Sequence, residues 1–224
     1  MIALKNVTSD HARAVGATIG LLHRCAVSDA GVPDRTTWSV APDRWRDLAM
    51  RSQDQSFSAQ LDELVPTLSA LSAGASTAWS RLRLERRVVS HRDVVPENVL
   101  WDGTIPTLID WESSAWTSPM AELVAAAIDW SGFIEGRSTA DIFVAVLDGY
   151  RAVLPFVPAE ALRALPASIA SWLPWLDYSI RRALGEGADP EERALGAAQA
   201  ESVLRAVERV PFHVQKWQDW IESK

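Results

Sequence analysis

Apolar positions recur at helical spacing over most of the chain. Ala12, Val15, Ile19 and Leu22 form the first series, just after Ser9-Asp10, residue types that cap helix N-termini, and predict an amphipathic helix. Within it, Gly16 and Gly20 read as points of close helix packing. Turn formers such as Gly31-Val32-Pro33-Asp34 loosen the stretch from Asp29 to Arg44. Leu61, Leu64, Val65, Leu68 and Leu71 resume the helical period, and Pro66 among them predicts a division into two helices. The pattern changes in the middle. Arg87-Val88-Val89-Ser90, Asn98-Val99-Leu100-Trp101 and Thr107-Leu108-Ile109-Asp110 are short β-type runs, and Asp102-Gly103 between the last two predicts a small hairpin. Ser118-Pro119 then reads as the cap and first-turn proline of a helix with Leu123, Ala127 and Trp130 on its apolar face. Phe143, Val146, Leu147, Tyr150 and Val153 predict another helix. Two further helical regions run from about Pro158 to Leu184 and from Pro190 to Glu222, with interruptions expected at Pro166, Pro174 and Pro211. With no repeat, low-complexity tract or linker, the expected organisation is one domain over residues 1–224, mainly α with a small central β-hairpin.

Composition narrows the class of function. The chain is 48% hydrophobic and 23% charged, the balance of a globular protein. Its 22 Lys and Arg against 29 Asp and Glu give a net charge of −7, which argues against a nucleic-acid or membrane-surface partner. The single cysteine, Cys25, excludes an internal disulfide and a cysteine-based zinc cluster, and reads as a small apolar residue in or beside a helix. The N-terminal residues lack the pattern of a signal peptide, and the apolar stretch Leu123 to Ile128 is too short to span a bilayer, so the expectation is a cytoplasmic protein. Eleven tryptophans, scattered along the chain, suit core or groove walls and by themselves carry no function.

Polar residues concentrate between the β-type runs, in His91-Arg92-Asp93-Val94-Val95-Pro96-Glu97-Asn98 and again in Ile109-Asp110-Trp111-Glu112. A hairpin with so short a turn brings Asn98 beside Asp110, and the loop carrying Asp93 feeds the same spot. Two carboxylates and an amide oxygen are hard donors that suit Mg²⁺ bound to a phosphorylated substrate. A carboxylate left unligated can act as a base. The plainer alternative makes each of these residues a loop cap or turn former. A metal-dependent hydrolase built on His91 and Asp93 would want paired histidines, whereas His11, His23 and His213 are dispersed, and serine-nucleophile chemistry lacks a G-x-S-x-G.

The joint pattern, H-x-D-x-x-x-x-N, an apolar pair, then I-D-W at the end of the next strand, resembles the C-terminal lobe of the aminoglycoside phosphotransferase and choline kinase-like family, relatives of protein kinases. The helix ending Leu21-Leu22-His23 and the one ending Asp148-Gly149-Tyr150-Arg151 fall in that family's order. The resemblance implies that Asp93 is the catalytic carboxylate that orients the acceptor hydroxyl and takes its proton. It implies that Asn98 and Asp110 bind Mg²⁺ and, through it, ATP or another nucleoside triphosphate. His91 becomes a buried strut of the loop. Arg92, where antibiotic phosphotransferases commonly have Gly, takes a structural salt-bridge role. Glu97 also stands where Gly is frequent, and Glu122 stands where the family usually has Asp supporting the loop from the next helix. Glu112 is within reach of a metal but reads more simply as a solvated carboxylate.

The acceptor implied is a small hydroxylated molecule, such as an aminoglycoside, choline, homoserine or a sugar amine. Candidate contacts are Glu112, Trp116, Trp130, Glu135, Asp141, Trp172, Trp175, Asp177 and Tyr178, carboxylates among aromatics that favour a cation. The family's N-terminal β lobe has no counterpart in the pattern. Neither G-x-G-x-x-G nor G-x-x-x-x-G-K-[ST] occurs, and the lysines are Lys5, Lys216 and Lys224. The expectation is therefore a C-terminal lobe alone, a truncated phosphotransferase that binds ATP weakly and leaves an apolar face for self-association or a partner. The rival expectation is a degenerate, inactive lobe that serves as a binding module.

Overall fold

The computed structural model describes residues 6–25, 31–32 and 40–224; Lys5, Trp38 and most of the turn-rich stretch Asp29 to Arg44 lie outside them. In chain order come α1 (Ser9–Arg24), α2 (Arg44–Arg51), α3 (Ser58–Leu82), β1 (Val88–Ser90), β2 (Val99–Asp102), β3 (Ile105–Leu108), β4 (Ala115–Thr117), α4 (Pro119–Trp130), α5 (Ala140–Arg151), α6 (Pro158–Ile169), α7 (Leu173–Ala183) and α8 (Pro190–Glu222). Among the described residues, no helix is long and apolar enough to cross a membrane.

The first helix begins one residue earlier than its sequence suggests. Thr8, not Ser9 or Asp10, is the N-cap, and closes a reciprocal capping box with His11. Ala12, Val15 and Ile19 are buried as the spacing requires, but the buried face continues through Gly20 to His23, four residues beyond Ile19, while Leu22 is only partly buried.

Three prolines expected to break helices do not. Pro66 lies inside the continuous α3, Pro166 inside α6 and Pro211 inside the 33-residue α8. All three prolines are themselves exposed, so their rings point away from the packed face and that face stays intact. Pro174 does mark a boundary, in the first turn of α7.

The expected small hairpin is present, and a second antiparallel ladder accompanies it. β2 and β3 pair with Asp102 opposite Ile105, so the turn is Gly103-Thr104 rather than Asp102-Gly103. Gly103 supplies the left-handed φ of +59° that so tight a turn needs. β1 pairs with β4, a strand the sequence pattern did not suggest, setting Val89 opposite Trp116.

The core has two lobes of packing. One, beneath the β2–β3 hairpin, joins α1, α4, α5 and α6; the other joins α2, α3, α7 and α8, and Trp79 and Trp172 pack against both. α4 runs through the first with ten of its 12 residues buried, so any polar side chain on it must find a partner inside the protein. α1 and α5 approach backbone to backbone. A Cβ on Gly16 would lie 1.9 Å from the Val146 carbonyl oxygen, and one on Gly149 would lie 1.9 Å from that of Arg13. This close crossing sets Tyr150 of α5 against His23 of α1, ring centroids 5.6 Å apart.

Candidate active site

The loop from β1 to β2 carries Asp93, and its backbone is held on either side of that residue by α4. The Arg92 N–H donates to Glu122 Oε1 at 2.5 Å, and Trp130 Nε1 donates to the Val94 carbonyl at 2.8 Å. Arg92 takes φ +68° and Asp110 φ +62°, the two non-glycine residues with positive φ among those described. Such a conformation costs a β-carbon-bearing residue about 1–2 kcal/mol, and here the surrounding hydrogen bonds impose it. The Arg92 guanidinium also reaches the Ser113 carbonyl at 3.4 Å. His91, fully buried, bonds through Nε2 to the Ile109 carbonyl at 2.7 Å and packs its ring on Trp111. It thereby ties the loop to the end of β3.

Asn98 closes the loop on Asp93. Its Nδ2 donates to Asp93 Oδ2 at 2.8 Å and to the Asp93 carbonyl at 3.1 Å. Asn98 is itself fixed by the hairpin, because its carbonyl accepts the Ile109 N–H at 3.0 Å, one residue before Asp110. Burial, with the charge of Asp110, holds the Asp93 carboxyl above its ordinary range; His91 and the Asn98 bond pull the other way without cancelling it. Burial also pushes up Glu122, but the bonds from His23 and the Arg92 N–H more than reverse this and keep it below the usual range. Glu122 is thus an ionised carboxylate inside the protein, with His23 Nε2 at 2.5 Å as its partner.

These groups open onto a cleft of about 1270 Å³. Seven carboxylates line it (Asp93, Glu97, Asp110, Glu112, Glu122, Asp129, Asp177) against three guanidiniums (Arg44, Arg92, Arg181), so the cleft attracts cations. Asp177 is already matched, bonded by Arg44 Nε at 2.8 Å and Arg181 Nε at 2.9 Å. Asp129 has no cationic partner among the described residues. One of its oxygens accepts Trp172 Nε1 at 2.7 Å. Burial, reinforced by the charges of Asp93, Glu135 and Glu97, raises its carboxyl to about 7. Trp172, Trp175 and Tyr178 line the same cleft, with Trp175 and Tyr178 stacked at 5.4 Å and half-exposed.

Other residues named from sequence fall elsewhere. Trp116 sits on β4 under the Arg87 guanidinium, 5.6 Å from its ring centroid, and is not part of the cleft lining. Trp130 is buried and spends its N–H on Val94. Glu135 and Asp141 are exposed outside the lining, and Glu112 is exposed within it. Sequence reasoning missed Asp129 and His23. Asp129 lies seven residues after Glu122 on an otherwise apolar helix, a spacing that puts both on one face.

The donor set fits Mg²⁺. Asn98 turns its amide N–H groups to Asp93, which leaves its carbonyl oxygen without a donor among the described residues, and the Asp110 carboxylate likewise makes no hydrogen bond or ion pair among them. Among the described residues, no three His, Cys, Asp or Glu side chains gather to cage a metal. An ion held by one carboxylate and one amide oxygen completes its shell with water and phosphate oxygens, as Mg²⁺ does.

A helical lobe with a clamped aspartate, an asparagine bonded to it and a second aspartate at the end of a hairpin has the architecture of part of a kinase-like fold. The chain belongs to the phosphotransferase enzyme family, whose profile matches residues 3–157. Solved structures share the fold at low identity. A choline/ethanolamine kinase family protein from Mesorhizobium loti is 18% identical with a TM-score of 0.54, over 96% of this chain and 68% of that one. A spectinomycin phosphotransferase, solved with ADP and spectinomycin, is 11% identical with a TM-score of 0.65, over 93% and 68%. An ethanolamine kinase from Plasmodium vivax is 14% identical with a TM-score of 0.55, over 92% and 64%. The chain thus spans about two thirds of the length of these kinases. No curated protein sequence matches it.

Proposed function

We propose that this chain carries the catalytic floor of an ATP-dependent small-molecule phosphotransferase. The observation that carries the reading is Asp93, gripped by Asn98 at 2.8 Å on a loop whose backbone is pinned on both sides, beside the free oxygens of Asn98 and Asp110. Asp93 accepts the proton of the acceptor hydroxyl as that oxygen bonds to the γ-phosphorus and the bridging bond to the nucleoside diphosphate breaks. Its carboxyl, held above the ordinary range by burial, is a better base than an ordinary aspartate. Asn98 Oδ1 and the Asp110 carboxylate are the residues that hold Mg²⁺. When bound, the ion neutralises phosphate charge. The rigid loop supplies alignment, which is most of what phosphoryl transfer asks of a protein.

The acceptor is a small hydroxylated cation. Asp129 supplies the charge, with Trp172, Trp175 and Tyr178 around it as aromatic faces. Two of the structural neighbours are named for choline or ethanolamine, amino alcohols of this kind. The test is phosphorylation of a panel of amino alcohols and aminocyclitols with Mg-ATP. These 224 residues by themselves are expected to bind Mg-ATP weakly and turn over slowly, with both recovered when an N-terminal lobe is supplied, fused or in trans. In whichever form is active, Asp93→Asn lowers turnover by about 10²–10⁴ with unchanged circular dichroism and melting. Wild-type turnover in that variant removes Asp93 from the mechanism.

A further inference from the structure

The Arg92 N–H bond to Glu122 is the innermost link of a chain of contacts that begins two helices away. Glu122 Oε2 meets His23 Nε2 at 2.5 Å, and His23 Nδ1 meets the Tyr150 hydroxyl at 3.2 Å. All three side chains are buried, with His23 at 1%, Tyr150 at 1% and Glu122 at 6% exposure. His23 ends α1, Tyr150 lies near the end of α5 and Glu122 is in the first turn of α4, so three helices converge under the loop. The contact exists because Gly16 and Gly149 let α1 and α5 close together. The Arg86 guanidinium fixes the end of α1 in turn, donating to the His23 carbonyl at 3.2 Å.

We propose that His23 and Tyr150 are positioning residues for phosphoryl transfer, holding the Glu122 carboxylate in the one orientation that bonds the Arg92 N–H and so sets the direction of Asp93. This rests on the reading of Asp93 as the base. Glu122 has several staggered rotamers, and the Arg92 N–H with the neighbouring Ser90 hydroxyl, both reaching it from one stretch of chain, constrain a long side chain less than they do together with a third partner from another helix. With His23 Nε2 committed to the carboxylate, the Tyr150 hydroxyl is the partner for Nδ1 in either protonation state of the ring, and it removes the freedom of the imidazole to flip. The left-handed backbone at Arg92 is unfavourable for a residue with a β-carbon. Released from Glu122, it relaxes, and Asp93, the next residue, turns with it. Buried polar groups linked in this way act as a unit, so each outer member is felt at the inner end.

The experiment reads the loop directly before it reads catalysis. Amide hydrogen exchange and the proton chemical shift of the Arg92 N–H are measured in Tyr150→Phe, His23→Gln and His23→Asn. Gln keeps a donor near the position of Nε2, whereas Asn places its amide near Nδ1 and does not reach Glu122. Exchange at Arg92 is expected to rise about tenfold or more in His23→Asn and by less in His23→Gln and Tyr150→Phe, with the amides of α3 unchanged. In the active form, kcat falls about tenfold to hundredfold in His23→Asn, partly restored in His23→Gln, while KM for nucleotide and acceptor stays at the wild-type value. If His23→Asn does not fold, Tyr150→Phe and His23→Gln carry the same readings. An Arg92 amide unaltered in every folded variant overturns the proposal, and so does a loosened amide with kcat unchanged. The two readings fail separately. Wild-type turnover in Asp93→Asn removes the base, whereas the Arg92 amide reports on His23 and Tyr150 without any turnover.

Discussion

Asp129→Asn separates what the cleft gains in function from what it loses in stability. Asn keeps the shape of the side chain and an oxygen to accept the Trp172 N–H, so the substitution removes charge alone. The carboxyl ordinarily ionises at 3.8 and in the folded protein at about 7, chiefly through burial. Between those values the folded chain holds a proton that the unfolded chain has released, so stability falls as pH rises through that window and the loss is complete above it. At about 1.4 kcal/mol per pH unit the full loss is about 4 kcal/mol. Between pH 5 and pH 8 the share lost is about 2–3 kcal/mol, allowing for water at the cleft mouth. Thermal melts of wild type and Asp129→Asn across that range should therefore diverge, the variant gaining on wild type by about 2–3 kcal/mol, or roughly 4–10 °C. The variant should also lose the rise in affinity for a cationic acceptor that ionisation gives the wild type near pH 7, read by calorimetry at pH 6 and pH 8. A stability difference that stays flat from pH 5 to pH 8 would refute the reasoning, because it would mean that Asp129 is ionised throughout.

Asp110→Ala should abolish the tightening of Mg²⁺ binding by nucleotide while leaving the melting temperature nearly unchanged, since the side chain is exposed; equal Mg²⁺ affinity in a titration with and without Asp110 would contradict the metal assignment. Gly16→Ala should cost on the order of 3 kcal/mol in urea denaturation, because its new Cβ meets the Val146 carbonyl at 1.9 Å and backbone cannot swing aside as a side chain can. Trp130→Phe should cost about 1–3 kcal/mol by the same assay, leaving the buried Val94 carbonyl without its donor, and should slow turnover by freeing the loop behind Asp93.

The polar cluster was legible in sequence because hairpin spacing alone brings Asn98 beside Asp110, whatever the details of the turn. The register was less so. Asp102-Gly103 has a strong turn signature, yet a left-handed residue at Gly103 starting the turn serves as well and moves both strands by a residue or more. Pro66, Pro166 and Pro211 misled for one reason: local rules price the lost hydrogen bond, but the cost depends on which way that face points, a property of the packed molecule. β4 was missed because three residues carry too little periodicity to stand out. His23 and Asp129 show the deeper limit. His23 looks like the end of an amphipathic stripe until α5 closes over it, and Asp129 looks like the end of an apolar run until Trp172 arrives from 43 residues away. Partners so distant in sequence leave no local mark.

The burial of α4 has a consequence for how the two reactants are kept in step. Glu122 and Trp130, which grip the loop on either side of Asp93, and Asp129, the residue proposed for the acceptor's charge, all stand on this one helix. From Glu122 to Trp130 is eight residues, about 12 Å at the helical rise of 1.5 Å per residue. On the proposed reading the helix works as a ruler, fixing the separation between the loop of Asp93 and Asp129 independently of every other loop. An insertion or deletion of one residue between Glu122 and Asp129 would rotate one end by about 100° against the other and uncouple them. Change of acceptor is then easiest where the ruler does not reach, at the exposed Trp175 and Tyr178 of α7, which can be exchanged without disturbing the distance over which the phosphoryl group must travel.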